Sequence, residues 1–196
     1  MPIEVKALAG GAIRSTLDDL ARLRIEVFRD WPYLYEGTYD YERAYFHAFA
    51  ESEGAVVVVA RDGNRTIGAA TGAPMGRHAA EAAEPLRQAG YDLARVFYCG
   101  ESVLLPAYRG RGLGHAFFEE REAHARALGG FTHVAFCAVV RPPDHPARPA
   151  NYQPLDAFWL KRGYRPVPGV LGSLTWQDIG VDAETAKPMQ FWMKPL

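Results

Sequence analysis

The stretch Val103-Leu104-Leu105-Pro106-Ala107-Tyr108-Arg109-Gly110-Arg111-Gly112-Leu113-Gly114-His115 decides how this chain is read. An apolar run ends at a proline, three glycines alternate with other residues, and an amphipathic pattern begins directly afterwards. Such a turn exposes several backbone N–H groups at the positive end of a helix dipole, which suits a phosphate or pyrophosphate. Glycine lets the backbone approach a ligand closely, and Arg109 and Arg111 add permanent charge with bidentate geometry. No Gly-Lys-Ser/Thr follows, so this is not a Walker A loop. Glycines at 110, 112 and 114 spell GxGxG rather than the GxGxxG of dinucleotide-binding folds. A Gly/Arg-rich turn without a ligand is the plainer alternative.

Outward from the turn, hydrophobic periodicity lays out alternating strands and helices. Val96–Leu105 reads as the strand before it and Gly112–Leu128 as the helix after it, with Leu113, Ala116, Phe117, His124 and Leu128 on one stripe. Glu119, Glu122 and Arg126 fall largely off that stripe, and Glu119 and Glu120 read as solvated surface. Towards the N-terminus, Ala55–Ala60 is a short β-branched run of central-strand type, and Asp62-Gly63-Asn64 turns it into a second strand over Thr66–Thr71. A first strand spans Ile3–Leu8. Ser15 and Thr16, each three residues before an aspartate, predict a capped helix continuing to Arg29, and a second helix follows over Tyr39–Glu51. Arg77–Gly90 predicts an exposed helix that Pro85 can split. Beyond the turn come a strand over His133–Val140, a proline-loaded loop over Arg141–Pro154 and a short helix over Leu155–Arg162. The last two strands are expected near Gly172–Gln177 and Met189–Lys194.

Composition bounds the reading. The 196 residues are 48 % hydrophobic and 23 % charged, with no composition shift or internal repeat, so one domain over 1–196 is expected. Lys+Arg is 22 against Asp+Glu 23, a net charge of -1, which argues against a broad nucleic-acid surface but allows one focused anion site. Cys99 and Cys137 form no disulfide framework, and the six histidines no ligand pattern, so no metal is expected. No apolar run approaches the ~18 residues of a membrane span, and MPIEVKALAG is not built like a signal peptide. Neither a membrane partner nor export is expected, which leaves a cytoplasmic protein.

The run Arg109-x-x-Gly112-x-Gly114, after a strand ending at Pro106 and before an amphipathic helix, resembles the acyl-CoA-binding motif of the GNAT N-acyltransferase superfamily. A second segment, Phe158-Trp159-Leu160-Lys161-Arg162-Gly163-Tyr164, resembles that family's later "F-Y-x-K-x-G-F" helix and turn, about 45 residues on and in the same order. The resemblance implies an α/β (α+β) fold with a mixed, mostly antiparallel central sheet and helices on both faces. That sheet would be split by a V-shaped opening between the Val96 and His133 strands. It implies acetyl-CoA as co-substrate, its pantetheine pairing with backbone near Val103, Leu104 and Leu105 as an added strand. The pyrophosphate would sit over Arg109, Gly110, Arg111, Gly112, Leu113, Gly114 and His115. The thioester carbonyl would be polarised by the N–H of Leu104 or Leu105, Asn151 would bond the pantetheine, and Trp159 would stand at the cofactor. The implied activity is direct N-acetyl transfer from acetyl-CoA to a primary amine of a small molecule. A non-catalytic acyl-CoA sensor or scaffold of the same fold is the alternative, and a homodimer through the last strands is a further expectation.

Acyl transfer to an amine needs a base for the acceptor and an acid for the departing thiolate, since a free alkylamine titrates near ~10. Glu101, just ahead of Val103–Leu105, is the candidate base, acting through water; its bland alternative is a carboxylate facing solvent or paired with arginine. The tyrosine that serves as acid in many similar enzymes is Trp159 here, whose indole does not ionise. Tyr152 is the candidate acid in its place. Tyr164 matches an aromatic that packs, and Cys137 reads as a structural cysteine. On the acceptor side, Trp31, Tyr33, Tyr35, Tyr39, Tyr41 and Tyr45 cluster with Asp30, Glu36, Asp40 and Glu42, which suits a cationic amine. Tyrosines that simply pack the helix are the alternative. The stiff loop, with five prolines, is expected to border the acceptor pocket through Arg141, Asp144 and His145.

Overall fold

The computed structural model describes residues 2–78 and 82–196. Its strands are β1 (Glu4–Ala9), β2 (Val56–Asp62), β3 (Arg65–Pro74), β4 (Val96–Leu104), β5 (His133–Val139), β6 (Arg165–Gln177) and β7 (Glu184–Pro195). Its helices are α1 (Leu17–Phe28), α2 (Tyr39–Ala50), the short α3 (Met75–His78) and α4 (Glu84–Gln88), α5 (Leu113–Leu128) and α6 (Asp156–Lys161). The strands form one mixed sheet in the order β1-β2-β3-β4-β5-β7-β6, antiparallel at every step except β4–β5. The α/β class and the mostly antiparallel sheet are as expected.

Val56 to Ala60 is buried throughout, as a β-branched run at the centre of a covered sheet requires. α1 and α2 pack on the face that carries Tyr98 and Val103, and α5 covers the opposite face through Phe118 against Phe97 and Cys99. The parallel ladder between β4 and β5 is short: only Val96–Tyr98 pairs with His133–Ala135. Beyond it β4 follows β3 as far as Leu104, while β5 follows β7 as far as Val139. This is the V-shaped split. Its cause is local, because the β3–β4 register gains one residue between Cys99 and Ser102, opposite Thr71. A β-bulge there bends the strand just past its last pair with β5.

Several local expectations are revised. Ser15 and Thr16 do not cap α1; their hydroxyls donate back to Ala12 O and Ile13 O, closing a 3-10 turn over Gly10–Thr16. The expected Arg77–Gly90 helix is two short pieces, and its residues 79–81 lie outside the described ones. On α5, Glu122 is buried rather than off the core stripe, and Leu128 is exposed. Glu122 accepts from Tyr164 Oη at 3.0 Å and Lys194 Nζ at 2.8 Å, which fastens α5 to β7 and the turn after α6. Burial pushes its carboxyl up, but those donors and Arg162 outweigh it and hold it below the usual range. The last two strands are longer than their apolar segments, because hairpin pairing carries Pro166, Leu171 and Lys187 into the ladder.

Candidate active site

The unpaired edge of β4 is defined by hydrogen-bond parity. Leu105 donates its N–H to Ile67 O at 3.0 Å, so the next pair, Leu104–Gly68, is a non-bonded one. The N–H and C=O of Leu104, and by the same alternation of Ser102, therefore face away from β3 and into the split. Of the two donors expected from sequence, only Leu104 has its N–H aimed there; that of Leu105 is already bonded. Val103 lies in the alternate phase, with its side chain buried in the core. An added extended segment finds a ready edge here.

The edge leads into the glycine turn. Gly110 and Gly112 have φ of +76° and +82°, and an added Cβ at either would meet open space, so glycine serves backbone conformation there. Gly112 caps α5, and the first i→i−4 bond runs from Ala116 N to Gly112 O. The N–H groups of Leu113 and Gly114 consequently have no acceptor within the helix. Arg109 and Arg111 curl over the same turn, Arg109 Nε donating to Leu104 O at 3.4 Å and Arg111 Nη2 to Ala107 O at 3.2 Å. His115 stacks edge-on to Phe158 of α6 and accepts from Arg162 Nη1 at 3.1 Å. Free donors and exposed guanidinium groups, with open space over Gly110 and Gly112, fit the pyrophosphate of a coenzyme A ester.

Glu101 sits on the bulge, and the bulge decides its direction. Phe97, Cys99, Ser102 and Leu104 meet α5, whereas Tyr98, Glu101 and Val103 meet the other face. Regular alternation would place Glu101 beside Phe97 and Cys99 under α5; the extra residue turns it towards α1 and α2. There Oε1 accepts from Arg24 Nη1 at 2.7 Å and Tyr45 Oη at 2.9 Å. Oε2 accepts from Thr71 Oγ1, which also takes the Glu101 N–H at 3.0 Å. Burial pushes this carboxyl up, but the charge of Arg24 and the bonds from Thr71 and Tyr45 outweigh it, and it lies below the usual glutamate value. Glu42, fully buried and 3.4 Å from Arg24 Nε, moves the other way: burial raises it more than Arg24 and the 2.6 Å bond from Tyr35 lower it.

The cluster of tyrosines and carboxylates read as suiting a cationic amine already holds a cation of the chain itself. The cation in it is the chain's own Arg24, whose guanidinium lies 4.7 Å from the ring centre of Tyr45, 5.7 Å from Tyr35 and 5.6 Å from Phe28. Tyr39 and Tyr41 are exposed on α2 and take no part in it. Arg141 also has a structural task. It pairs bidentately with Asp178 at 2.8 Å and donates to Pro32 O and Tyr33 O, tying the α1–α2 connection to the end of β6.

What this connection brings to the split is aromatic. Trp31 lies 5.0 Å from His145 and edge-on to Tyr152 at 5.9 Å, so the proline loop and the α1–α2 connection face each other. Half-buried Tyr33 lies within electrostatic reach of Glu101, Tyr152, Cys137 and Arg24, and desolvation raises its hydroxyl first of all. Tyr98 Oη meets Cys137 Sγ at 3.0 Å across the apex of the split, and burial pushes that thiol up to about 11. The Tyr152 hydroxyl is also raised, by burial and then by Asp156. Asn151 is exposed beside it on the turn closed by Tyr152 N to Pro149 O at 3.0 Å. Trp159 packs against Phe136 at 4.9 Å and Trp192 at 5.0 Å.

Sequence reasoning passed over Arg24, Thr71 and Arg121. For Arg121 a signal exists: it stands four residues after Phe117 and eight after Leu113, on the apolar stripe, and it is fully buried. Arg24 and Thr71 gain their importance only by contact with Glu101, across 77 and 30 residues of chain.

Comparison with known proteins bears on the family and the fold. The model of the acetyltransferase (GNAT) family matches residues 19–152. No curated protein matches the chain. Among solved structures, a ribosomal-protein-alanine N-acetyltransferase from Brucella melitensis superposes with a TM-score of 0.63 at 14 % identity, over 98 % of this chain and 99 % of that one. NAA60 of Arabidopsis thaliana, solved with a bisubstrate analogue, gives 0.63 at 14 % identity over 100 % and 99 %. The acetyltransferase yncA from Salmonella typhimurium, solved with acetyl-CoA, gives 0.59 at 13 % identity over 100 % and 95 %. At such identities these structures are alike in fold.

Proposed function

Because the chain belongs to the acetyltransferase (GNAT) family, we propose that it moves an acetyl group from acetyl-CoA to a primary amine, by direct transfer within the β4–β5 split. The observation that carries this reading is the continuity of two binding features. The outward-facing N–H and C=O groups of Ser102 and Leu104 run straight into the donor-rich turn from Arg109 to His115. The first suits an extended pantetheine and the second a pyrophosphate. When bound, the thioester supplies the acyl group; the chain's own atoms orient it and manage protons. In this reading Arg109, Gly110, Arg111, Gly112, Leu113, Gly114 and His115 hold the phosphates, and Leu104 N–H faces the acyl oxygen.

Glu101 is the proposed base. Oε1 accepts from Arg24 and Tyr45 and Oε2 from Thr71, which makes Oε2 the less occupied oxygen and the one to receive a water or an ammonium. Its depressed value keeps it ionised at neutral pH, which suits attraction of the protonated amine and relay of its proton through water. Two carboxylates, Glu101 and Glu42, flank the single guanidinium of Arg24, and this acidic bias favours a cationic acceptor. Trp31, Tyr33 and Tyr152 provide the aromatic wall that a small amine would contact, and Tyr152 is the proposed donor to the thiolate.

Purified protein incubated with acetyl-CoA and a panel of small primary amines, with free thiol release followed, tests the proposal. Acetyl-CoA binding with an amine-dependent thiol signal supports it. Binding without thiol release across the panel, with the coenzyme unchanged, supports the sensor reading instead. Glu101→Gln should remove turnover and leave CoA affinity intact.

A further inference from the structure

We propose that Arg121 is a positioning residue for this chemistry: it pins the β4 bulge and so fixes how Glu101 and the Ser102–Leu104 backbone edge face the split. The inference rests on the reading of Glu101 as the base, and it concerns a residue on the far side of the sheet from that carboxylate.

Arg121 is 0 % exposed, and the groups that accept its hydrogen bonds are all neutral. Nε donates to Phe117 O at 3.1 Å; Nη1 donates to Thr71 O at 3.1 Å and to Glu101 O at 3.2 Å; Nη2 donates to Ser102 Oγ at 3.0 Å. The guanidinium also lies 4.7 Å from the ring centre of Phe118. A buried charge held by neutral groups is expensive, and an apolar side chain of similar volume would fill the same space without that cost. The placement makes sense through its acceptors, since Thr71, Glu101 and Ser102 are the residues of the bulge itself. An extra residue leaves ladder carbonyls without regular partners. One rigid fork collects two of them from adjacent strands and adds the Ser102 hydroxyl. Lysine has the charge but not the planar fork.

The same bulge is closed from the other face by Thr71 Oγ1, which bonds both the N–H and the carboxylate of Glu101. Gly100 makes room for it: an added Cβ there would lie 2.5 Å from that oxygen. Arg121 therefore holds Glu101 by its carbonyl while Thr71 holds it by its N–H. Were the bulge to close, regular alternation would carry Glu101 to the α5 face, away from Arg24 and Tyr45.

The test compares Arg121→Met and Arg121→Lys with the parent by two readouts. In protein labelled with 13C at glutamate carboxyls, the Glu101 resonance is assigned by its loss in Glu101→Gln and then titrated. Turnover is measured against pH with the best amine of the panel. If the pin is real, both variants fold, as near-ultraviolet circular dichroism reports. The Glu101 titration then moves up by about one pH unit or more, and kcat falls at least about tenfold with CoA affinity changing less. Arg121→Lys should lie between Met and the parent. A folded Met variant with the parent's titration and parent kcat overturns the proposal. Should Arg121→Met not fold, Arg121→Lys and Ser102→Ala decide, each removing part of the grip; an unmoved Glu101 titration in both overturns it. Failure of Glu101 as base would appear separately, as unchanged turnover in Glu101→Gln, while the carboxyl titration still reads the pin.

Discussion

Replacing Arg24 by methionine should cost the fold several kcal/mol at neutral pH and much less in acid. Arg24 is 18 % exposed and bridges Glu101, 10 % exposed, and Glu42, 0 % exposed, at 2.7 Å and 3.4 Å. Methionine has comparable bulk, so the change removes the charge while sparing most of the packing against Phe28, Tyr35 and Tyr45. Removing one partner of a buried pair typically costs about 3–5 kcal/mol, because a charge is left without compensation. Two carboxylates are stranded here, which favours the upper half of that range. They have an escape, which is to take up protons, and the pH dependence follows from it. In the parent, the depressed Glu101 contributes stability above the unfolded-state value that is lost as pH falls through its folded value. In the variant, burial without Arg24 raises both carboxyls, so the native state binds more protons than the unfolded chain and gains stability as pH falls. The penalty should shrink by up to about 1.4 kcal/mol per pH unit for each carboxyl that becomes protonated. Urea denaturation of parent and variant from about pH 8 down to about pH 5 measures this difference. A penalty under about 1 kcal/mol, or one that stays flat across that range, would refute the buried-pair account and assign Arg24 the modest worth of a solvated pair.

Four further variants have outcomes set by the same geometry. Gly112→Ala, at φ +82° in open space, should cost about 1–2 kcal/mol through backbone strain alone. Gly114→Ala, without a positive φ and with its Cβ at 3.4 Å from Phe158, should be neutral or slightly stabilising, so thermal melts must separate the two. Tyr152→Phe keeps the edge contact with Trp31 but loses the proton; kcat should fall about 10²–10⁴-fold at constant CoA affinity, and an unaltered kcat removes Tyr152 as the acid. Arg141→Met breaks the buried bidentate pair with Asp178 and frees the Pro32–Tyr33 backbone, with an expected loss of about 3–5 kcal/mol in chemical denaturation. A loss near zero would mean that the α1–α2 connection is held by Trp176 and the sheet without this pair.

Glu101 shows where sequence reading succeeds and where it stops. Its place on the strand before the glycine turn singles it out, and the structure sets it on the β4 bulge, paired with arginine as its bland alternative had it. Its surroundings are another matter: which face it points to depends on a one-residue bulge, and that register is set by pairing with β3 rather than by anything local to β4. The tyrosine-rich segment is a similar case. Composition marks a site for a cation, and the fold fills it with Arg24 from a different helix. Arg141 reads as a loop charge beside a pocket and is instead the clamp that holds Pro32 and Tyr33 to the end of β6.

By itself the sequence determined the features whose physics is local. Positive φ at Gly110 and Gly112 demands glycine, a β-branched run makes Val56–Ala60 a central strand, and Pro106 ends β4; each cause lies within a few residues of its effect. Two ordered motifs then sufficed to identify the family and its fold. Only the tertiary structure decided which charges meet. The Arg24–Glu101 contact spans 77 residues, and the partners of Arg121 lie on two other strands. Such contacts are settled by strand register and by the desolvation of groups brought together from distant parts of the chain, and neither quantity is written in the neighbourhood of any one residue.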